Sequence, residues 1–288
     1  MKVLITGAGG QLGRTLLETK PADVETIACT HGDLDIGAVD AVRDAIGTHR
    51  PAVIINAAAY TAVDKAESEA ALAQRINAEG PGHLATAANA CGARLIHVST
   101  DFVFDGAAST PYRPESATNP LGVYGRTKRD GELAVLDALP ERSVTVRTAW
   151  VYAPFGSNFV RTMLRVMRAN GTVRVVADQV GTPTAACSLA EVLWQIAGNG
   201  TIRGTHHWTD AGVASWYDFA VAIAEEGARL NLLPPDVTVT PITTADYPTP
   251  ARRPAYSVLD KRSLASLGLN PIHWRKRLRD VLKAIPGG

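Results

Sequence analysis

Short β-branched runs alternate with longer Ala-rich, helically periodic stretches through the first half of this 288-residue chain, and that alternation predicts an α/β fold with a doubly wound parallel sheet. Two observations support it. Runs such as Val53-Ile54-Ile55 are apolar on both faces, as strands covered on both sides must be. After about Ala153 the texture changes, with Pro154, Pro183, Pro234, Pro235, Pro241, Pro248, Pro250 and Pro254 cutting the chain into shorter pieces, which predicts a smaller C-terminal lobe.

In order, Lys2 to Thr6, Val24 to Ala28, Ala52 to Asn56, Arg94 to Ser99 and Ser143 to Thr148 read as strands. Leu12 to Thr19, Gly37 to Gly47, Ser68 to Cys91 and Leu121 to Ala138 read as the helices between them, with Gly92 set to end the third in a left-handed cap. Further helices are expected at Asn158 to Ala169, Ser188 to Gly198, Ser215 to Leu230 and Arg275 to Ile285, and strands at Val173 to Val176 and Thr205 to Thr209. The expected division is residues 1–153 for the first domain, with part of 178–210 returning to it, and mainly 154–288 for the second lobe.

Composition excludes several functions. Twenty-nine basic and 28 acidic side chains leave a formal charge of +1, so neither a nucleic-acid surface nor a charged tail is suggested. Apolar runs fall short of the ~20 residues of a membrane helix, and Met1-Lys2 passes straight into Val3-Leu4-Ile5 with no leader-like segment, so a cytoplasmic protein is expected. Cys29, Cys91 and Cys187 are odd in number and far apart, which supports neither a disulfide framework nor a zinc site. His206-His207 does not read as a metal pair, because neighbours on a strand point to opposite faces.

The chemistry starts at residue 7. Strand one runs into Gly7-Ala8-Gly9-Gly10-Gln11-Leu12-Gly13 and then into an apolar helix. A tight turn, backbone close to a pyrophosphate and a helix packed on its strand each need a glycine, and Gly7, Gly10 and Gly13 supply them in a G-x-x-G-x-x-G spacing. A Rossmann-type dinucleotide site follows, with phosphates at the helix amino terminus. An acid is expected about 20 residues later to hold the adenosine ribose, but Cys29-Thr30-His31 stands there. With no carboxylate to repel a 2′-phosphate, NADPH should be admitted and NADH accepted too; Thr30 falls at the ribose and Asp33 nearer the adenine.

Tyr124-Gly125-Arg126-Thr127-Lys128 opens a predicted helix, so Tyr124 and Lys128 share one face. A neighbouring cation favours phenolate, and Lys128 is therefore expected to lower the Tyr124 phenol toward a useful acid. Thr100 lies where strand four leaves the sheet, at the carboxyl end where ligands bind in such folds.

With these residues in order on one chain, the sequence resembles the extended short-chain dehydrogenase/reductase superfamily. Three segments narrow the resemblance: Asn-Ala-Ala-Ala-Tyr-Thr-Ala-Val-Asp-Lys-Ala-Glu at 56–67, Asp-Gln-Val-Gly-Thr-Pro-Thr at 178–184 and Pro-Thr-Pro-Ala-Arg-Arg-Pro at 248–254. They look like the dTDP-4-dehydrorhamnose reductase family along essentially the whole chain. The resemblance implies NAD(P)H-dependent reduction of the 4-keto group of dTDP-6-deoxy-L-lyxo-4-hexulose. It implies Gly10, Gln11 and Leu12 on the pyrophosphate, Asp33 and Leu34 at the adenine, and Ala59, Tyr60 and Thr61 along the cofactor. It also implies Tyr124 as proton donor, Lys128 on the nicotinamide ribose, Thr100 on the ketone oxygen, Asp101 and Trp150 on the sugar, and Asn158 and Arg253 at the diphosphate. Some members dimerise through magnesium held by glutamates; the matching places here hold Thr15 and Cys187, so no metal is expected, and a monomer or a homodimer without one. A related nucleotide-sugar epimerase or dehydratase, and a non-catalytic regulatory relative, are the alternatives.

Overall fold

A computed structural model describes residues 1–286. The first half comprises β1 (Lys2–Thr6), α1 (Gln11–Glu18), β2 (Glu25–Cys29), α2 (Val39–His49), β3 (Val53–Asn56), α3 (Val63–Ala66), α4 (Ala70–Gln74), α5 (Gly80–Cys91), β4 (Arg94–Thr100), α6 (Val123–Ala138) and β5 (Ser143–Thr148). It continues with β6 (Val151–Tyr152), α7 (Phe159–Asn170), β7 (Thr172–Val176), β8 (Val180–Gly181), β9 (Thr184–Ala185), α8 (Ala186–Gly198), β10 (Gly204–His207), β11 (Ala214–Ser215), α9 (Trp216–Arg229), β12 (Thr238–Ile242), α10 (Arg262–Ala265) and α11 (Trp274–Lys283).

Six strands form one parallel sheet in the order β10-β5-β4-β3-β1-β2. The chain leaves β1 outward to β2 and then crosses back to β3, so the switch point lies between β1 and β3, where doubly wound sheets bind ligands. Register aligns Thr6 with Asn56 and Thr100 with Thr148, so the loops that leave these strands open on one edge. There the Thr6 hydroxyl donates to Asn56 Oδ1 (2.7 Å), and the Asn56 amide meets His97 Nδ1 (3.0 Å), tying β1, β3 and β4 together beneath the edge.

Each face of the sheet is buried. Leu12 and Leu16 of α1 and Leu189, Val192 and Leu193 of α8 cover one side, while Val42 and Ile46 of α2, Leu84 of α5 and Val135 of α6 cover the other. Both α8 and β10, from 186–207, thus belong to this sheet. A separate apolar core joins α7, α9 and α11 around Val160, Phe219, Ile223 and Leu278.

The single helix expected over Ser68 to Cys91 is instead α4, a π-helical turn at Arg75–Glu79, and α5. Pro81 has no N–H to give the Asn77 carbonyl, which loses its ordinary partner, and the turn widens there. The freed carbonyl lies against Gly131 of α6, where a Cβ would come within 2.1 Å of it. His206 and His207 do point apart: His206 meets Ser263, whereas His207 is buried against the Tyr112 carbonyl. No helix among the described residues is long and apolar enough to cross a membrane.

Candidate active site

Above the switch point lies a cleft of about 850 Å³, walled by the loops after β1, β3, β4 and β5 and by the start of α9. Its floor is the glycine turn. Gly7 adopts φ +67°, and a Cβ there would sit 2.7 Å from the Ala58 backbone. At Gly13 a Cβ would fall 2.2 Å from the Gly7 carbonyl, so α1 reaches its strand only because residue 13 is glycine. Gly10, the N-cap of α1, offers no side chain to the first-turn amides, which leaves unpaired N–H groups and a helix dipole fitted to a pyrophosphate. Gly13→Ala should therefore lower NADPH affinity by about tenfold or more, since such overpacking costs roughly 1–3 kcal/mol; fluorescence titration reads the change.

Gly7, Gly10, Gln11, Leu12, Leu34, Ala59, Tyr60 and Thr61 all line the cleft. Asn77 holds the β3 loop in place, accepting from the Tyr60 amide (2.9 Å) and donating to the Tyr60 carbonyl (3.0 Å). Thr30 and Asp33 do not form part of the wall: the Asp33 carboxylate takes both the amide (2.9 Å) and the hydroxyl (2.6 Å) of Thr30, closing a small turn at the rim. His31 and Asp35 line the cleft instead, and Asp35 is paired with Arg75 at 2.7 Å.

Thr100, Asp101, Tyr124 and Lys128 meet at the centre. Gly125 lets α6 press onto the turn after β4, for a Cβ there would strike the Phe102 carbonyl at 2.2 Å. The Tyr124 ring stands edge-on to Phe102, with centroids 5.4 Å apart. Thr100 Oγ1 donates to Asp101 Oδ1 (3.0 Å) and accepts from the Phe102 amide, while the buried Asp101 Oδ2 makes no hydrogen bond of good geometry among the described residues. Burial pushes the Asp101 carboxyl up to about 6, against the pull of the Ser257 and Thr100 hydroxyls.

One expectation is corrected here. The Tyr124 phenol is not lowered: burial pushes it up to about 12, the Asp101 charge adds to the rise, and the facing Thr100 hydroxyl only partly opposes it. Lys128 is turned toward the sheet, its ammonium donating to the Val98 carbonyl at 2.8 Å. Burial lowers it to about 8, and Glu132, one turn further along α6, counteracts the fall.

Trp150 lines the cleft, between β5 and β6, in the left-handed region at φ +49°. Arg253 lines it too, but its guanidinium forks onto Asp64 at 2.7 and 3.0 Å, which holds that carboxyl below its usual range. Two of the segments that carried the resemblance, 56–67 and 248–254, are thereby joined. Asn158 departs from its expected place: its Oδ1 caps α7 through the Arg161 amide (3.0 Å), and its Nδ2 donates to Gln11 Oε1 (2.7 Å). It braces the phosphate loop from behind and is not part of the wall. Among the described residues no group of three or more His, Cys, Asp or Glu is placed to hold a metal ion. Thr15 donates to the Gln11 carbonyl inside α1. Trp216, at the first position of α9 behind a Ser215/Asp218 capping box, is a wall residue that sequence reasoning passed over. Its signal was an aromatic directly after an N-cap serine, which by itself says nothing of a cleft.

A parallel doubly wound sheet with a glycine turn, Thr100, Tyr124 and Lys128 around one switch-point cleft defines an oxidoreductase of the extended short-chain dehydrogenase/reductase class. The chain belongs to the family described as RmlD substrate binding domain, whose model matches residues 1–286. It is 43% identical, over 97% of this chain and 98% of the relative, to the dTDP-4-dehydrorhamnose reductase of Aggregatibacter actinomycetemcomitans. Solved structures agree. A dTDP-4-dehydrorhamnose reductase from Clostridium acetobutylicum superposes with a TM-score of 0.93 at 44% identity, covering 99% of each chain. One from Bacillus anthracis, in complex with NADP, gives 0.92 at 35% identity, covering 98% of this chain and 99% of that one.

Proposed function

We propose that this protein reduces the 4-keto group of dTDP-6-deoxy-L-lyxo-4-hexulose to give dTDP-L-rhamnose, with NADPH as reductant and NADH also accepted. The observation that carries this reading is the meeting of Thr100, Tyr124 and Lys128 with the glycine turn in one cleft. The relatives named above support the substrate, and the NADP-bound relative supports the cofactor. Thr30 and His31 follow β2 directly and carry no carboxylate, and the next acids, Asp33 and Asp35, are engaged by Thr30 and Arg75, which agrees with a 2′-phosphate.

When bound, the reduced nicotinamide supplies the hydride. Hydride arrival at C4 builds negative charge on the ketone oxygen, and the Thr100 and Tyr124 hydroxyls are the two donors for it. A phenol held at about 12 is fully protonated at neutral pH, as a donor in the reducing direction must be, and a secondary alkoxide is basic enough to take its proton. Lys128 holds the nicotinamide ribose, Asp101 and Trp150 hold the sugar, and Arg253, once released from Asp64, meets the diphosphate through its fork of donors. In this reading residues 1–153, with α8 and β10, carry the cofactor and the rest of 154–288 carries the sugar nucleotide. The enzyme works in the cytoplasm as a monomer or homodimer.

In the free enzyme kcat/KM should rise with pH through about 6, as the Asp101 carboxyl ionises to accept a sugar hydroxyl, and fall through about 8, as the Lys128 ammonium is lost. Asp101→Asn should remove the acid limb and leave the alkaline one. The function itself is tested by following NADPH absorbance with dTDP-4-keto-6-deoxyglucose plus its 3,5-epimerase. One NADPH consumed per dTDP-L-rhamnose formed is expected; turnover without added cofactor, on tightly retained NAD, would instead indicate an epimerase.

A further inference from the structure

Part of the cleft wall is an indole pair, both members of which pack against the apolar core of α7, α9 and α11. Trp150 lies in the turn that follows β5, and Trp216 starts α9. Their rings are stacked face to face, with centroids 3.6 Å apart and planes 10° apart. Trp150 needs help to stay there. A φ of +49° is unfavourable for any residue with a Cβ, more so for a bulky one, and persists only where the surroundings dictate it.

Three contacts dictate it. The Trp150 carbonyl accepts from the Thr184 amide (3.2 Å), which fixes the backbone of the turn. Gly181 leaves room for the indole, since a Cβ there would lie 2.8 Å from its Cε2. Trp216 then covers a ring face, and is itself held by Phe159 at 4.6 Å and by the Ser215 cap of its helix. Because β11 pairs with β8, Ala214 opposite Gly181, the segment that carries Trp216 is tied directly to the glycine that admits Trp150.

We propose that Trp216 is a positioning residue for the sugar: it presses the Trp150 indole into the left-handed turn so that the pair offers a fixed apolar wall to the C–H face of the pyranose. This inference rests on the reductase reading of the cleft. A planar indole wall fits a deoxysugar, whose 6-methyl and ring hydrogens are its apolar parts, and both tryptophans remain half-buried at the cleft.

The test compares Trp216→Leu, which keeps bulk without an aromatic plane, with Trp216→Phe, which restores a plane. NADPH fluorescence titration confirms that each variant is folded with its cofactor site intact, and steady-state kinetics use the keto sugar nucleotide made in situ. Trp216→Leu should raise KM for the sugar nucleotide roughly 3- to 10-fold, leave NADPH affinity unchanged, and abolish the paired-indole band in circular dichroism. Trp216→Phe should return KM to within about twofold of wild type. Adding Trp216→Leu to Trp150→Leu should raise KM no further, because the first acts through the second. An unshifted KM in Trp216→Leu, or additive effects in the double variant, overturns the proposal. Wild-type turnover in the same assay separates the two failures: its absence contradicts the reductase reading, and its presence with an unshifted KM contradicts the role of the stack.

Discussion

Tyr124→Phe is expected to lose about 10² to 10⁴ in kcat while binding NADPH as the wild type does. The substitution removes one hydroxyl and leaves the ring, so the edge-on contact with Phe102 and the start of α6 stay as they are. What disappears, on the proposed mechanism, is the group assigned to protonate the ketone oxygen beside Thr100. Thr100 cannot replace it, because an aliphatic hydroxyl is a far weaker acid than a phenol: turned to the ketone it can share its proton in a hydrogen bond but not give it up. The expected signature is a fall in kcat and kcat/KM together with little change in cofactor affinity, read by steady-state kinetics and fluorescence titration. Near-normal turnover would remove Tyr124 from the proposed mechanism.

The second large effect concerns stability. One turn beyond Lys128 on α6, Glu132 forms a bidentate ion pair with Arg147 at 2.7 and 2.9 Å, with side chains only 8% and 7% exposed. Ser99 also donates to Glu132 at 2.5 Å, and Arg147 reaches on to the Pro114 carbonyl at 3.0 Å. Glu132→Ala leaves a guanidinium buried with no counter-charge, which should cost about 3–5 kcal/mol in chemical denaturation. Replacing both partners with apolar residues of similar volume should recover part of that loss, since the penalty belongs to the orphaned charge more than to the missing pair. The same variant also strips Lys128 of the charge that holds its ammonium up, so its alkaline limb should move to lower pH.

Legibility followed the range of the interactions. The sheet, the glycine turn and the Tyr124/Lys128 face were readable because each is set by local spacing: a strand period, a turn that demands φ > 0, a helical repeat of four. Contacts between distant segments were not. Nothing local in Asn158 reveals that it caps α7 and reaches Gln11, nothing in Arg253 reveals Asp64, and Asp33 reads as an adenine contact until the Thr30 amide is seen to occupy it. The break in the helix over 68–91 had a visible cause in Pro81, but the Gly131 backbone that receives the freed carbonyl lies 50 residues away. The phenol was misjudged for a related reason. Spacing places Lys128 on the same face as Tyr124, yet the burial that raises the phenol and the Val98 carbonyl that takes the ammonium are both set by the rest of the fold.

The central claim is that hydride passes from an external reduced nicotinamide to C4 of a dTDP-keto sugar while Tyr124 protonates the oxygen. Its most direct test is turnover with NADPH deuterated at the transferable C4 position of the nicotinamide, with the sugar product read by mass spectrometry and proton NMR. One deuterium at C4 of dTDP-L-rhamnose, matched by one NADP⁺ formed, is the predicted result; a product without deuterium, or sugar conversion without NADPH oxidation, would contradict it.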